Sequence, residues 1–545
     1  MPRCVLGLGS NLGNRAANLH RALRLLRETV GVRLERTSLL YDSSPQYVTE
    51  QPRFLNATCE ITTPLPPHEL LRTVKVRRLP HRRRHLPAGW PLTPPSGALQ
   101  GVEQRLGRRL DAETLQPAAD AVRFGPRPID IDLLLYYPQE DDPRQQAELQ
   151  DETLTLPHPR LAERGFVLRP LADLDPSRLL RSPGGAGVAT VGQTLAALAG
   201  TAAGAEQLAE LRTVTPLPQQ GGTLSGSAAQ AESAFEWGAK TYLMGVVNMT
   251  PDSFSDGGAF SGAAAAVQHG LRLARAGVDI LDIGGHSTRP GFEAVSEQEE
   301  LERVASVIRE LRESCGADPD VAASLQASGG GSGVGGRVAI SVDTFRPAVA
   351  AAALAEGADI INDVSGGLYD EGRMYDVAAE SGAPLVLMDH GADPVSLHEP
   401  HDTSAVSVVG AVGASLAGMA RRAQAAHVPR WQLLIDPGLG FAKPEEEENL
   451  ELLRRLRDIR HAADDLPLLL GPSRKRFTGS AAWQSRVTSA PVPFDQRDWA
   501  TAGVCAAAVA GGAVDLVRVH EARVGDAVRA ADAVSRGGAA GARWE

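Results

Sequence analysis

Short apolar runs recur along the second half of the chain, and most of them are separated by amphipathic or alanine-rich stretches. After Thr241 the runs are TYLMGVV, VDILDIG, RVAISV, ADIIN, PLVLM, QLLID, PLLLG and VDLVRV. Apolar runs of strand length that alternate with helical patterns predict βαβ units and a parallel sheet. Eight such units close a (β/α)8 barrel, so we predict a TIM barrel over residues 239–545.

The first 177 residues follow a different pattern, in which short apolar runs and helical stretches alternate less regularly. CVLGLGS (4–10) is typical of a strand that enters a turn, and Arg15–Val30 places its leucines at helical spacing. Ile129–Tyr137 is a strongly apolar strand candidate. These elements predict a small α+β sandwich over residues 1–177.

Between the two patterns, residues 178–238 are rich in Gly, Ala, Ser, Gln and Thr. This composition predicts a flexible linker with one possible helix, Leu195–Leu211. A second low-complexity stretch, SLQASGGGSGVGG (324–336), predicts a flexible loop inside the barrel.

Composition narrows the classes of function and the compartment. The formal net charge of −11 argues against general nucleic-acid binding. The four cysteines are scattered and form no C-x-x-C pair, which fits a reducing compartment and argues against a disulfide framework or a zinc site. We find no apolar run of the roughly 20 residues that span a bilayer, and we recognise no targeting segment.

The segment RFGPRPIDID (123–132) contains the largest group of candidate metal-binding and phosphate-binding residues in the first half of the chain. Asp130 and Asp132 share one face of the predicted strand, because side chains alternate along a strand. Two close carboxylates suit magnesium that also binds substrate phosphates, and Arg123 and Arg127 suit bidentate phosphate contacts. An exposed strand face with a surface ion pair is the alternative interpretation.

Four segments of the first domain resemble the 6-hydroxymethyl-7,8-dihydropterin pyrophosphokinase family. They are GLGSNLGN (7–14), QPRFLNAT (51–58), RFGPRPIDIDLLLY (123–136) and LPHPRLAERGFVLRPL (156–171). The resemblance implies a ferredoxin-like fold and ATP as a substrate, whose β-phosphorus the pterin alcohol attacks with release of AMP. It implies that Asp130 and Asp132 hold two Mg2+ ions, and that Arg127 is catalytic with them. Implied contacts to ATP or its phosphates are Arg108, Arg123, Arg127, His158 and Arg164; implied contacts to the pterin are Asn56, Phe124 and Phe166.

One departure from that family is an insertion at about 76–101. In the family, a segment like HELLRTVK (68–75) continues directly into one like VEQRLGRR (102–109). The intervening residues here are rich in Pro and Arg and lack a helical period. Because proline inside a helix costs roughly 3 kcal/mol, the stretch must loop out or break the helix. We interpret it as a surface insertion or a gene-model artefact rather than a nucleic-acid arm. It lies just before Arg108, one of the implied ATP contacts.

Polar groups follow seven of the eight predicted barrel strands. They are Asn248, Asp282, Asp343, Asn362-Asp363, Asp436, Ser473-Arg474-Lys475, and Arg518 with His520. A single Asp after a strand is commonly a helix N-cap. TIM barrels place their chemistry at the C-terminal ends of the strands, however, so the joint pattern predicts an active site there.

The second domain resembles dihydropteroate synthase over about residues 241–535. The motifs are MGVVNMTPDSFSDGG (244–258), LDIGGHSTRPG (281–291), SVDT (341–344), LIDPGLGFAK (434–443), GPSRKRFTG (471–479) and VRVH (517–520). The resemblance implies that pyrophosphate leaves the pterin, with charge stabilised by the catalytic Lys475, Arg518 and His520, and that the amine of p-aminobenzoate then attacks. Implied pterin contacts are Asp343, Asn362, Met388, Asp436 and Lys475. Implied pyrophosphate contacts are Asn248, Arg518 and His520, with a metal at Asn248. Implied p-aminobenzoate loops carry Phe254, Ser287, Thr288, Arg289 and Pro290.

The fifth strand departs from this second family. After Met388 the family has a motif like H-M-R-G, whereas the chain reads Asp389-His390-Gly391-Ala392. The arginine of the motif is missing, so we expect the contact that it makes in the family to be absent.

Together the two resemblances predict a bifunctional transferase of folate biosynthesis, with the fused order of plant and algal enzymes. Its partners would be small molecules, with no nucleic acid and no membrane, and it would form a homo-oligomer through the synthase domain. Family analogy implies a mitochondrial location, with the cytosol as the alternative. Two other interpretations stay open: a monofunctional synthase with an inactive or regulatory first domain, and a pterin-binding barrel that transfers methyl groups.

Overall fold

A computed structural model describes residues 1–75, 101–109, 124–139, 145–181, 187–218, 233–249, 259–286, 295–327, 334, 336–391, 399–401, 403, 406–482 and 497–535. The chain divides into two compact units, which consist mainly of Met1–Val214 and of Ser233–Glu545. Most of the predicted insertion and the predicted loop at 324–336 lie outside the described residues. So do the predicted site residues Arg123, Phe254, Ser287, Thr288, Arg289 and Pro290.

An antiparallel sheet with strand order β3-β4-β1-β5 forms the centre of the first unit, and β2 also pairs with β4. Helix α4 packs Leu168 and Leu171 against Val5 and Leu135 of this sheet. The predicted α+β fold is confirmed. The elements are β1 (Arg3–Ser10), α1 (Arg15–Glu28), β2 (Arg33–Thr37), β3 (Leu40–Ser43), β4 (Phe54–Thr62), α2 (Pro67–Lys75), α3 (Val102–Arg105), β5 (Asp130–Tyr137), β6 (Leu149–Gln150), β7 (Thr155–Leu156), α4 (Gly165–Leu174), β8 (Leu179–Arg181), β9 (Val188–Thr190), α5 (Val191–Ala199), α6 (Ala202–Ala209) and β10 (Arg212–Pro216).

The segment predicted to be a flexible linker (178–238) is folded in its described part. Leu180 and Val191 belong to the same core as α4, and β10 pairs with β3. The single helix predicted over Leu195–Leu211 is wrong, because the chain forms two helices, α5 and α6. Thr201 separates them, since its side chain accepts the backbone N–H of Gly204 and so caps a new helix.

Eight parallel strands form the second unit in the order β17-β16-β15-β14-β13-β12-β19-β18. A parallel bridge between Ile435 and Leu468 joins the two end strands, so the predicted barrel is confirmed. The elements are β11 (Ala234–Trp237), β12 (Tyr242–Asn248), α7 (Ala259–Arg275), β13 (Ile280–Gly284), α8 (Glu297–Ala317), α9 (Pro319–Ala327), β14 (Ala339–Asp343), α10 (Pro347–Ala355), β15 (Ile360–Asp363), α11 (Arg373–Ser381), β16 (Leu385–Met388), α12 (Val408–Ala425), β17 (Leu433–Asp436), α13 (Glu446–Arg454), α14 (Leu456–Ala462), β18 (Leu469–Leu470), α15 (Arg476–Ala482), α16 (Asp498–Ala510), β19 (Leu516–Val519) and α17 (Val524–Ser535).

Residues that precede the first barrel strand cover the N-terminal end of the barrel. Leu217 and Phe235 are buried in one cluster with the first residues of several strands, such as Ile280 of β13. The rings of Phe235 and Trp237 stack with centroids 5.0 Å apart. We call Leu217, Phe235 and Trp237 the barrel floor. Among the described helices, none is long and apolar enough to cross a membrane.

Candidate active sites

A pocket on the central sheet of the first unit brings together most of the residues predicted there. Its wall includes Asn56, Phe124, Arg127, Asp130, Asp132, Arg164 and Phe166. Asp130 and Asp132 both line it, as the period-two alternation of β5 predicts. Tyr47, which the sequence interpretation missed, also lines the pocket, and its ring lies 4.7 Å from that of Phe124.

Phe124 adopts a left-handed backbone with a φ of 62°. Non-glycine residues seldom adopt this conformation, and where they do it is often a functional site. The carbonyl of Phe124 accepts a hydrogen bond from the Gln51 side chain at 3.0 Å. This contact helps to hold the aromatic ring at the pocket.

Asp130 is the centre of a cluster of cations at the same pocket. Its carboxylate contacts Lys75 Nζ at 3.1 Å and Arg127 Nη1 at 3.0 Å, and it also pairs with Arg108. Burial alone would raise the pKa of Asp130, but the three neighbouring cations hold it well below its ordinary value. Asp130 is therefore ionised at neutral pH.

Two buried residues complete this cluster, and neither was predicted from the sequence. Glu103 is fully buried and contacts Lys75 Nζ at 2.7 Å and Arg108 Nη1 at 2.8 Å. Lys75 Nζ also lies 3.4 Å from Asp132. Lys75 ends α2 and Glu103 lies in α3, so the two sides of the predicted insertion meet at this ion pair.

The other predicted residues of the first unit lie close to this pocket. Arg164 donates to the Tyr47 hydroxyl at 3.2 Å and lies over the ring of Phe166, 5.5 Å from its centroid. His158 donates its backbone N–H to Leu134 at 2.9 Å, and burial lowers the pKa of its imidazole.

In the second unit, Arg518 joins the ends of three barrel strands. Its Nε donates to Asp282 and its Nη2 to Asp343, both at 2.6 Å. The Asn362 side chain also donates to Asp282, at 3.1 Å. Asp282 is fully buried. The sequence analysis placed Asp282 at a strand end but assigned it no role. The other polar residues at neighbouring strand ends were the signal that could have identified it as a site residue.

Lys475 lies beside Asp436 and Phe441 at the same end of the barrel. Its Nζ is 3.9 Å from the centroid of the Phe441 ring. Burial lowers the pKa of Lys475 to about 8 and raises the pKa of Asp436 to about 6. Burial also raises the pKa of Asp343, to about 7. These shifts fit a polar site that is shielded from water.

The remaining predicted residues of the barrel complete the same rim. His520 Nδ1 lies 3.0 Å from the Ser473 hydroxyl. Met388 forms a small apolar cluster that Phe441 packs against. Asn248 lies opposite Gly284 in the sheet register, so all the described candidates come from the C-terminal ends of the strands.

Comparisons with known proteins match both units. A family model described as 7,8-dihydro-6-hydroxymethylpterin-pyrophosphokinase matches residues 5–90 and 95–176, and one for pterin binding enzymes matches 244–322 and 332–520. The chain is 35% identical over 543 residues to the mitochondrial "Folate synthesis bifunctional protein" of Arabidopsis thaliana, covering 98% of this chain and 83% of the relative. This chain belongs to the bifunctional folate synthesis proteins. Its first unit is their pyrophosphokinase domain and its second unit their dihydropteroate synthase domain.

Relatives of the synthase domain alone are also found. The dihydropteroate synthase of Synechocystis is 38% identical over 290 residues, covering 53% of this chain and 88% of the relative. A solved structure of the Xanthomonas albilineans dihydropteroate synthase with 4-aminobenzoic acid is 36% identical, covers 54% of this chain and 93% of that chain, and has a TM-score of 0.44. The synthase domain therefore has at least one relative that matches only about half of this chain, 53% in the Synechocystis protein.

Proposed function

We propose that this bifunctional protein performs two consecutive reactions at the residues described above. The first transfers pyrophosphate from ATP to 6-hydroxymethyl-7,8-dihydropterin. The second condenses the product with p-aminobenzoate to 7,8-dihydropteroate and releases pyrophosphate. The main observation behind this proposal is that each unit groups charged side chains around one residue. That residue is Asp130 in the first unit and Arg518 in the second.

In the kinase pocket, the pterin would lie between Phe124 and Phe166, with Asn56 hydrogen-bonding its edge. The oxygen donors of Asp130 and Asp132 fit Mg2+, which prefers one or two carboxylates together with phosphate oxygens. When bound, Mg2+ would neutralise charge on the ATP phosphates. The residues that would contact ATP are Arg108, Arg123, Arg127, His158 and Arg164. Burial lowers the pKa of the His158 imidazole, so His158 would act as a neutral hydrogen-bonding group and the four arginines as the cations. Catalysis here would consist of positioning and charge neutralisation.

In the barrel, the pterin would be held by Asp343, Asn362, Met388, Asp436 and Lys475. Arg518, His520 and Asn248 would stabilise the leaving pyrophosphate electrostatically, with Mg2+ at Asn248. Arg518 is well placed for this role because it already lies at the meeting point of three strand ends. The p-aminobenzoate site would be formed by Phe254, Ser287, Thr288, Arg289 and Pro290.

The proposal is tested by supplying purified protein with the pterin alcohol, p-aminobenzoate, ATP and Mg2+. Dihydropteroate that forms only when ATP is present supports both activities. If product forms only from ready-made pterin pyrophosphate, the protein has the synthase activity and lacks the kinase activity. If folded protein makes no product from either pterin, the proposal is wrong.

A second candidate is a synthase whose first domain has lost kinase activity, and the insertion between α2 and α3 favours it. The register of these helices gives a test. Deleting residues 77–101 places Lys75 and Glu103 at positions i and i+3, which face each other on a helix. If the insertion has inactivated the kinase, this variant should regain kinase activity, because it retains the buried ion pair between these side chains. A variant that is no more active than the wild type would contradict this candidate. The measurement is AMP formation that depends on the pterin alcohol.

A deletion longer by one residue, 76–101, is the matched control. It places Lys75 and Glu103 at i and i+2, where side chains do not face each other, so its kinase activity should be at least about tenfold below that of the 77–101 deletion variant. Dihydropteroate formation from ready-made pterin pyrophosphate should not change in either variant. Equal kinase activity in the two deletion variants would contradict the inference that α2 and α3 can join into one helix on which Lys75 and Glu103 face each other.

Location and assembly complete the proposal. The names of the Arabidopsis relative and of a pea relative, Pisum sativum, include the word mitochondrial. This supports a mitochondrial location for the chain. The resemblance to the synthase family supports a homo-oligomer formed through the barrel.

A further inference from the structure

The end of strand β16, where the chain departs from the H-M-R-G motif, carries a buried group of charged side chains. Asp389 is fully buried. Its carboxylate contacts Lys443 Nζ at 2.6 Å and His401 Nε2 at 2.9 Å. The Lys443 side chain is only 1% exposed. We call Asp389, His401 and Lys443 the Asp389 clamp.

The backbone around the clamp is packed too closely for the missing arginine. Gly391 has a φ of 84°, and a Cβ there would lie 2.1 Å from the Glu399 carbonyl oxygen and 2.4 Å from the Ala442 Cβ. Gly438 has a φ of 63°, and its Cβ would lie 1.9 Å from the Asp389 carbonyl oxygen. A side chain at either position would therefore force the end of β16 away from the loop that follows β17.

That loop, residues 437–444, is held at several points. Lys443 Nζ also donates to the Gly438 carbonyl at 3.2 Å, and the Gly438 N–H donates to Asp436 at 2.8 Å. The Asn449 side chain accepts from the Gly440 N–H at 2.7 Å and donates to the Lys443 carbonyl at 3.1 Å. We call residues 437–444 the β17 loop.

The β17 loop in turn supports Lys475. The Phe441 ring lies 3.9 Å from Lys475 Nζ. A Cβ on Gly440 would be 3.1 Å from Lys475 Cδ, so the loop backbone also lies against the lysine stem. Contacts thus run from Asp389 through Lys443 and the β17 loop to the ammonium group of Lys475.

A contribution to stability does not by itself explain why Asp389 and Lys443 form a buried ion pair here. The desolvation of two buried charges can exceed their attraction, so a buried ion pair often adds little net stability. A role in fixing one arrangement of the β17 loop explains why the charges are present at this place. A pair that held only the fold together would have no selective effect on one substrate.

We propose that Asp389 is a positioning residue for the synthase reaction. Through Lys443 it fixes the β17 loop, so that Phe441 and Gly440 hold the Lys475 ammonium where the pterin binds. The Asp389 clamp does this without the strand-five arginine of the family motif. The inference rests on the proposed synthase activity.

Asp389→Asn tests the proposal in the full-length protein with ready-made pterin pyrophosphate and p-aminobenzoate. We expect the KM for the pterin substrate to rise about tenfold and the KM for p-aminobenzoate to change by less than about twofold. The matched control is Asp279→Asn. Asp279 is also buried and pairs with a lysine, Lys240, at 2.6 Å, but it lies at the N-terminal end of the barrel. The control should lower the melting temperature and leave both KM values unchanged.

A double variant tests whether the effect passes through Phe441. Phe441→Leu should raise the KM for the pterin substrate, and Asp389→Asn combined with Phe441→Leu should be no worse than the worse single variant. If Asp389→Asn does not fold, Asp389→Asn with Lys443→Gln replaces it, because that pair leaves no unpaired buried charge. Additive effects would overturn the proposal, and so would unchanged KM values in the folded Asp389 variants. Wild-type protein that makes no dihydropteroate from these substrates would instead overturn the proposed function.

Discussion

Replacing Lys475 by methionine will lower kcat/KM for dihydropteroate formation about a thousandfold, which corresponds to about 4 kcal/mol of transition-state stabilisation. Lys475 is a partly buried cation close to Asp436 and to the Phe441 ring. Methionine keeps an unbranched stem of similar length, with sulfur in place of Cδ, and lacks the ammonium group. The measurement uses ready-made pterin pyrophosphate, so that the kinase does not limit the rate.

The kinase domain of the same variant is an internal control, and its AMP formation should equal that of wild type.

The pH profile of the synthase reaction adds an independent comparison. Because burial lowers the pKa of Lys475 to about 8, the ammonium is present below this pH and lost above it. Wild-type kcat/KM should therefore fall as pH rises through about 8, and the residual activity of Lys475→Met should lack that step. A loss of less than about tenfold would show that Lys475 is not catalytic.

Asp130→Asn will abolish most of the kinase activity, with AMP formation reduced about a thousandfold. Asn keeps the size of the side chain but removes the charge around which Lys75, Arg108 and Arg127 are arranged. It also removes a carboxylate oxygen that fits Mg2+. The measurement is AMP formation with saturating ATP and pterin alcohol.

Glu60→Gln is the matched control for this variant. Glu60 is another buried carboxylate of the same unit and is also surrounded by arginines, with Arg36 at 2.8 Å and Arg178 at 2.9 Å. It does not line the pocket. Its loss should lower stability without a selective loss of AMP formation. If both variants lose the same fraction of kinase activity, Asp130 has a structural role rather than the proposed catalytic one.

The sequence predicted the barrel well because its information is local. Each strand is a short apolar run, and the C-terminal ends of parallel strands meet at one end of a barrel. Polar residues that follow the runs therefore converge without any knowledge of distances. Asp343 and Arg518 were predicted in this way, and they contact each other in the structure.

Partners that depend on tertiary packing could not be predicted in the same way. Lys75 is a basic residue in the last turn of α2. A lysine at this position usually extends into solvent and is stabilised by the partial negative charge at the C-terminus of the helix. Its burial depends on Glu103 and Asp130, which lie 28 and 55 positions further along the chain. The helix predicted over 195–211 failed for a related reason, because alanine-rich composition continues through Thr201 although a new helix begins there.

The barrel floor has a consequence for how a separate synthase could be cut from this fused chain. A fragment that began at β12 would lack Leu217 and Phe235, and the strand ends they cover, such as Ile280, would be exposed to water. Full burial of one such large apolar side chain is worth roughly 1.5–3 kcal/mol, a sizeable part of the stability of an average domain. A gene split that preserves a stable barrel must therefore place its breakpoint upstream of the floor, or the shortened barrel must acquire a new apolar cover.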